Sequence, residues 1–155
     1  MDLARLAALV AVLGGAVVYG TDVFCAVVQR PALARVDDRA LVEVMGKVHL
    51  YGDRRMPVPG VLSIVAAALS VALAGWSGHS IAVGAAATAV GLLLLWLALY
   101  LRVSAPINRA LTTAAEAGDV PANARVLQGD WDRVITTRAV LQGLAIAALC
   151  VALVT

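Results

Sequence analysis

Long apolar stretches separated by two polar segments dominate the pattern of this chain. Each apolar stretch has about twenty residues, the length that crosses the ~30 Å hydrocarbon core of a bilayer. The four stretches are Leu3–Val28, Pro57–Trp76, Ser80–Leu101 and Val134–Val154. Backbone polar groups inside lipid must be paired within the protein, so these stretches are predicted to be helices. The pattern predicts an all-α fold, an integral membrane four-helix bundle in a single domain over residues 1–155.

The polar segment between the first two stretches has a helical pattern of its own. Its apolar positions recur at i, i+3, i+4 and i+7, and they are Leu41, Val44, Met45 and Val48. An acid and a base, Glu43 and Lys47, form an i,i+4 pair on the opposite side. The segment is therefore predicted to be an amphipathic surface helix between transmembrane helices 1 and 2. Pro31 and Pro106 are predicted to end the first and third helices.

Composition and charge agree with a membrane protein and suggest an orientation. The chain is 62% hydrophobic and 14% charged, and its mean hydropathy is +0.91. Of its 12 Lys and Arg residues, only Arg5 lies outside the two polar segments and the helix ends beside them. The positive-inside rule then predicts an integral plasma (cytoplasmic) membrane protein with cytoplasmic long loops and with both termini outside. In that topology Cys25 and Cys150 lie at opposite depths and cannot form a disulfide.

The densest chemistry lies in Gly46–Pro59, GKVHLYGDRRMPVP. His49 and Asp53 are one helical turn apart, so a hydrogen bond between them is predicted, with the carboxylate orienting the ring and raising its basicity. Such a pair suits a general base. The alternative is a local cap before the Pro57 break, and Tyr51 stands between the two residues as a candidate for substrate contact.

Two charged residues lie inside the predicted spans at similar depth. An acid or base in lipid is costly, so Asp22 and Arg138 are predicted to neutralise each other across helices one and four. The alternatives are a snorkelling Arg138 and a site carboxylate at Asp22. Tyr19 shares the helical face of Asp22, and the face of Arg138 carries two further polar or aromatic side chains, Trp131 and Gln142. Trp96 and Tyr100 are predicted to be interface anchors, with stacking on a ligand as the alternative.

The unusual polar residues fall in one layer near the predicted cytoplasmic helix ends. They are Asp22, His49, Asp53, Asn108, Arg138 and Gln142. The other half of the bundle is apolar or small, so the sequence predicts a pocket open to the cytoplasmic leaflet and argues against a pore. No feature indicates nucleic-acid binding or a familiar cofactor motif.

Residues around the third and fourth helices also carry a family resemblance. The order PxNxxL (Pro106, Asn108, Leu111) and the stretch from Trp131 to Arg138 resemble the anthrone-oxygenase-like family of small four-helix membrane proteins. The resemblance implies oxidation of anthrones to anthraquinones in aromatic polyketide pathways, with Asn108 and Arg138 as site residues. Ile135 and Thr137 stand where that family usually has an Asn shortly before the Arg.

Two classes of function follow from these features. The first is a membrane enzyme that acts on a lipophilic aromatic substrate, with catalytic residues His49, Asp53, Asn108 and Arg138. Its predicted substrate-binding residues are Tyr19, Asp22, Tyr51, Trp131 and Gln142. The second is a non-enzymatic transporter or accessory subunit with a structural intramembrane ion pair. Predicted partners are the lipophilic substrate and membrane lipid. The sequence assigns no metal ligand set, because a site built on His49 and Asp53 needs more ligands and Asp22 is the only obvious candidate. It does not identify a cofactor, and a base-initiated reaction with O₂ does not require one. A homo-oligomeric state stays open.

Overall fold

The chain folds into four long helical segments. The computed structural model describes residues 2–155, and four segments in that range are long and apolar enough to cross a membrane. The fold is the all-α four-helix bundle predicted from the sequence. The helices are α1 Leu3–Phe24, α2 Arg30–Leu33, α3 Asp38–Arg55, α4 Pro57–Trp76, α5 Ser80–Leu99, α6 Ala105–Ala117 and α7 Ala124–Val154.

Small residues bring α1 and α4 close together in an antiparallel pair. A Cβ atom on Gly14 would lie 2.8 Å from the carbonyl oxygen of Pro59, so only glycine permits this approach. Further along the contact, Ser63 Oγ donates a 2.8 Å hydrogen bond to the Ala11 carbonyl. Interfaces of this kind, with small side chains and hydroxyl-to-carbonyl bonds, are typical of packed membrane helices. α7 completes the bundle by packing against α1 and α5.

Neither Pro31 nor Pro106 ends its helix, so both predictions were wrong. A π-helical turn, Cys25–Gln29, joins α1 to α2, and a second one, Tyr100–Ser104, joins α5 to α6. A proline lacks the N–H for the normal i→i−4 bond and crowds the carbonyl four residues earlier. The widened turn before each proline absorbs that mismatch, and the helix continues.

The predicted surface helix is present as α3, but it packs along α6. A Cβ atom on Gly46 would lie 2.7 Å from the Leu111 carbonyl oxygen, and Thr112 Oγ1 donates to the Gly46 carbonyl. Its buried face therefore differs from the predicted stripe, because Val44 and Val48 are exposed. The buried residues of α3 are Leu41, Val42, Met45, Gly46 and His49. The α3–α6 pair extends the bundle at the end where the two polar loops lie.

α7 is longer than the predicted fourth span. The sequence suggests a short helix from Pro121 and a span that begins at Val134, whereas one continuous helix runs through Ala124–Val154. The first turns of α7 are held by tertiary contacts. Arg125 donates to Asp38 Oδ1 at 2.6 Å, and it also donates to the carbonyls of Leu33 and Val36. This arginine therefore ties the loop between α2 and α3 to the start of α7.

Candidate functional site

Asp22 is the centre of a buried hydrogen-bond network that joins three of the four helical segments. Its Oδ1 atom accepts from Arg138 Nη2 at 2.8 Å. Its Oδ2 atom accepts from Trp96 Nε1 at 3.2 Å and from Gln142 Nε2 at 2.9 Å. Arg138 also donates through Nη1 to Ser104 Oγ at 2.8 Å. The predicted neutralisation of Asp22 by Arg138 is confirmed, and the carboxylate has partners on both oxygens, as a buried charge requires.

Three aromatic rings surround the guanidinium of Arg138. Its Cζ atom lies 5.7 Å from the ring centroid of Trp96, 5.5 Å from that of Tyr100 and 6.0 Å from that of Trp131. Cation–π contacts of this kind are worth about 2 kcal/mol when they are desolvated. Arg138 is buried, so the alternative in which it snorkels to the membrane surface is wrong.

Asp53 is held by Tyr100 of the second π-helical turn and by Asn108 of α6, and not by His49. Its Oδ1 atom accepts 2.8 Å hydrogen bonds from Tyr100 Oη and from Asn108 Nδ2. The hydrogen bond predicted between His49 and Asp53 is absent from the described residues. The spacing on α3 does place the two residues on neighbouring turns, but two donors across the α3–α6 contact take the carboxylate oxygen. Asn108 Oδ1 in turn accepts from Trp131 Nε1 at 3.1 Å.

His49 is buried against aromatic surface with its Nε2 atom unpaired. Its ring centroid lies 5.5 Å from that of Trp131, and the two planes are tilted by 52°. Within residues 2–155, His49 Nε2 and Arg138 Nε are buried side-chain atoms without a hydrogen-bond partner. Buried polar atoms are normally paired, so two unpaired atoms in one layer indicate a place for a ligand or water.

A cavity of about 160 Å³ lies in this polar layer. All four predicted catalytic residues line it, namely His49, Asp53, Asn108 and Arg138. Asp22 and Trp131 line it as well, and most of the remaining wall is apolar. Thr21, Val48 and Val61 are lining residues that are also exposed, so the cavity opens on an apolar flank of the bundle. A largely apolar cavity with a few convergent polar groups is the usual form of a small-molecule site.

Three of the predicted substrate-binding residues lie outside the cavity wall. The Tyr19 ring packs against Gly143. A Cβ atom added to Gly143 would lie 3.2 Å from Tyr19 Cε2. Tyr51 is exposed and lies under the guanidinium of Arg55, whose Cζ atom is 5.1 Å from the ring centroid. Gln142 is buried and reaches the site only through its bond to Asp22. Helical spacing identified the correct face for Gln142, but it does not show which residues reach a cavity.

Trp96 and Tyr100 belong to the site, so their prediction as interface anchors was wrong. Trp96 is buried and donates to Asp22, and the two rings stack with centroids 6.1 Å apart. A signal for them was present in the sequence. Leu93, Trp96 and Tyr100 lie at i, i+3 and i+7 on one face, which is the face that α5 turns towards the bundle.

Among residues 2–155, no cluster of three or more His, Cys, Asp or Glu side chains is placed to hold a metal ion. The two cysteines in that range are free, with Cys25 buried and Cys150 exposed.

Comparison with known proteins adds no assignment. No protein-family model, no curated protein and no solved structure matches the chain. The candidate site therefore rests on its own geometry and chemistry.

Proposed function

We propose that this protein is a membrane enzyme that oxidises a lipophilic aromatic substrate of the anthrone type in the cavity of the polar layer. The observation that carries the proposal is the pair of unpaired buried atoms, His49 Nε2 and Arg138 Nε, on residues that line one cavity. One atom can accept a proton, and the other belongs to a permanent cation. The resemblance of the Pro106–Leu111 and Trp131–Arg138 segments to anthrone oxygenases supports the same reaction.

The lining of the cavity suits an aromatic substrate. The rings of Trp96, Tyr100 and Trp131 lie around the Arg138 guanidinium, and the first two are stacked with an interplanar angle of 15°. Aromatic rings favour offset-stacked or edge-to-face contacts with one another. An opening among exposed apolar residues would let such a substrate enter from the lipid rather than from water.

The first chemical step is removal of a proton from the substrate. In the neutral tautomer with its proton on Nδ1, His49 carries a lone pair on Nε2 and can act as general base. An anthrone has an acidic C–H group conjugated with its carbonyl, so its deprotonation gives an enolate. The developing negative charge on the enolate oxygen is stabilised by the Arg138 cation and by the Asn108 amide hydrogen that Asp53 does not use.

Oxygen then completes a balanced reaction. The enolate gives one electron to O₂, the resulting radicals combine into a C–O bond, and the peroxide anion takes a proton from the His49 imidazolium. The hydroperoxide loses water as its carbon loses the second hydrogen, which leaves a new carbonyl. One anthrone and one O₂ therefore give one anthraquinone and one water, and no other oxidant is needed.

The proposal is tested by oxygen uptake in membranes that contain the protein. With an anthrone as substrate, uptake should exceed the spontaneous rate and should match the anthraquinone formed. Gly60 lines the cavity, and a Cβ atom there would lie 3.6 Å from Trp96, so Gly60→Leu should fill the cavity and reduce uptake to the spontaneous rate. Gly91→Leu is the matched control, because a Cβ atom there meets nothing within 4 Å.

Two outcomes would contradict the proposal. Wild-type membranes that show no uptake with any anthrone would favour the non-enzymatic alternative, a transporter or accessory subunit. Equal uptake by wild type and a folded Gly60→Leu variant would mean that the reaction takes place elsewhere.

We infer that the polar layer faces the cytoplasm. The basic residues concentrate at the end of the bundle that holds the Ala34–Asp37 and Gly118–Asn123 loops, whereas the Ser77–His79 turn lies at the opposite end. The positive-inside rule places the first end in the cytoplasm.

Cysteine labelling in intact cells tests this orientation. In a variant without Cys25 and Cys150, a cysteine substituted for Ser77 should react with a membrane-impermeant thiol reagent. A cysteine substituted for Ala122 should react only after the membrane is opened. The reverse labelling pattern would place the polar layer outside the cell.

A further inference from the structure

A second cavity lies between the first π-helical turn and α7, away from the candidate site. Its volume is about 470 Å³. The wall combines apolar residues of the first helical segment with an acid, an amide and two arginines, namely Asp132, Gln128, Arg30 and Arg125. The proposed oxidation uses none of these four side chains.

Gln128 has a fixed orientation and an unpaired oxygen. Its Nε2 atom donates to Asp132 Oδ1 at 2.9 Å, and a carboxylate can only accept, so the amide cannot be reversed. Gln128 is 4% exposed, and its Oε1 atom has no hydrogen-bond partner among residues 2–155. Gln128 lines the cavity, so its buried acceptor lacks a donor that a bound molecule or water would supply.

Charges of both signs stand beside this acceptor. Asp132 Oδ2 is 4.0 Å from Arg30 Nε, a distance at which the two groups attract without a hydrogen bond. The Arg30 side chain is half exposed and retains donors for an anion. Arg125, by contrast, is engaged with Asp38 and with two backbone carbonyls. The cavity thus offers two acceptors for a cationic N–H group and one cation for an anion.

The depth of the cavity suits a lipid headgroup. Arg30 follows Val28, the last residue of the apolar stretch that begins at Leu3, by two residues, which is about 3 Å along the helix at ~1.5 Å per residue. Just below Arg30, the exposed side chains of Phe24, Val27 and Val28 offer an apolar surface to an acyl chain. Arg30 therefore lies at the level of the headgroups.

We propose that the second cavity binds a phospholipid whose headgroup carries a phosphate and a primary ammonium group, as in phosphatidylethanolamine. The ammonium donates to Gln128 Oε1 and to Asp132, and the phosphate pairs with Arg30. A headgroup with a trimethylated nitrogen carries the same charges but has no N–H to donate, so it leaves Gln128 Oε1 unpaired.

Thermal unfolding of the purified, delipidated protein in detergent tests the assignment. Phosphatidylethanolamine at about 100 times its Kd should raise Tm by about 5–10 °C. Phosphatidylcholine with the same acyl chains should give less than half of that shift, and so should anionic phosphatidylglycerol, which lacks the ammonium. Free phosphoethanolamine should give little shift, because it lacks the chains. A full shift from it would replace the lipid with a soluble phosphorylated amine.

Two variants and one control locate the binding. Gln128→Met and Asp132→Asn should each lose the shift produced by phosphatidylethanolamine. Asp130→Asn should keep it, because Asp130 lies in the same helix but pairs only with exposed Arg133 outside the cavity. If a variant unfolds too early to melt cleanly, native mass spectrometry of retained lipid replaces the Tm. Equal shifts from the ethanolamine and choline lipids, or a full shift in both cavity variants, would overturn the proposal.

Discussion

Replacement of His49 by Ala is expected to lower the rate of anthrone oxidation by about 10²–10⁴-fold, the usual contribution of a general base. His49 lines the cavity and its Nε2 atom has no hydrogen-bond partner among residues 2–155, so loss of the ring removes the group proposed to take the substrate proton. The loss should fall on kcat, while binding of the anthraquinone product changes little. The measurement is oxygen uptake by purified protein, corrected for the spontaneous rate.

Two further measurements separate a base from a packing residue. Added imidazole should restore part of the rate in the His49→Ala variant, because it can occupy the space left by the ring and take the proton. His79→Ala is the matched control. His79 is the second of the two histidines in the sequence, and it is exposed in the turn between α4 and α5. A His49→Ala variant with wild-type activity would remove this residue from the mechanism.

The second large effect concerns stability. Asp22→Ala and Arg138→Ala are each expected to lower the free energy of unfolding by about 3–5 kcal/mol, because each leaves an uncompensated buried charge. The double variant should lose less than the sum of the two, with a coupling energy above about 1 kcal/mol and up to about 3 kcal/mol. Denaturant titration in detergent micelles measures the free energy of unfolding of the wild type, the two single variants and the double variant.

An exposed ion pair on the same helix provides the control. Asp130 and Arg133 are 2.6 Å apart with side chains that are 41% and 79% exposed, so their cycle should give a coupling below about 1 kcal/mol. Strict additivity between Asp22 and Arg138 would show that the 2.8 Å contact contributes no stability of its own. A coupling as small as that of the exposed pair would place both groups in water.

The pairing of Asp22 with Arg138 could be predicted from the sequence. Each charge needs a partner in lipid, and the other residue is an opposite charge at the same depth. The four spans could be predicted for a similar reason, since the bilayer imposes both a length and a helical backbone. The layer of polar side chains also follows from depth alone. These features depend on position along a helix, which a sequence shows directly.

The partners of Asp53 could not be predicted in the same way. The i,i+4 spacing correctly places His49 near it, but the carboxylate bonds to Tyr100 and Asn108. Tyr100 lies in the second π-helical turn itself, and Asn108 reaches Asp53 because that turn carries the helix through Pro106 and lays α6 along α3. The sequence shows the proline but not whether the helix ends there or continues. The contacts between α3 and α6 could therefore not be predicted from it.

The cavity between His49, Trp131 and Arg138 is proposed to bind the aromatic substrate, and a structure of the protein with a bound, unreactive hydroxyanthraquinone tests this. Flat density is expected in this cavity, with a ligand oxygen about 2.7–3.2 Å from His49 Nε2 and a second oxygen facing the Arg138 guanidinium. Ligand density only on the lipid-facing surface, with the cavity empty or filled by ordered water, would show that the substrate does not bind there.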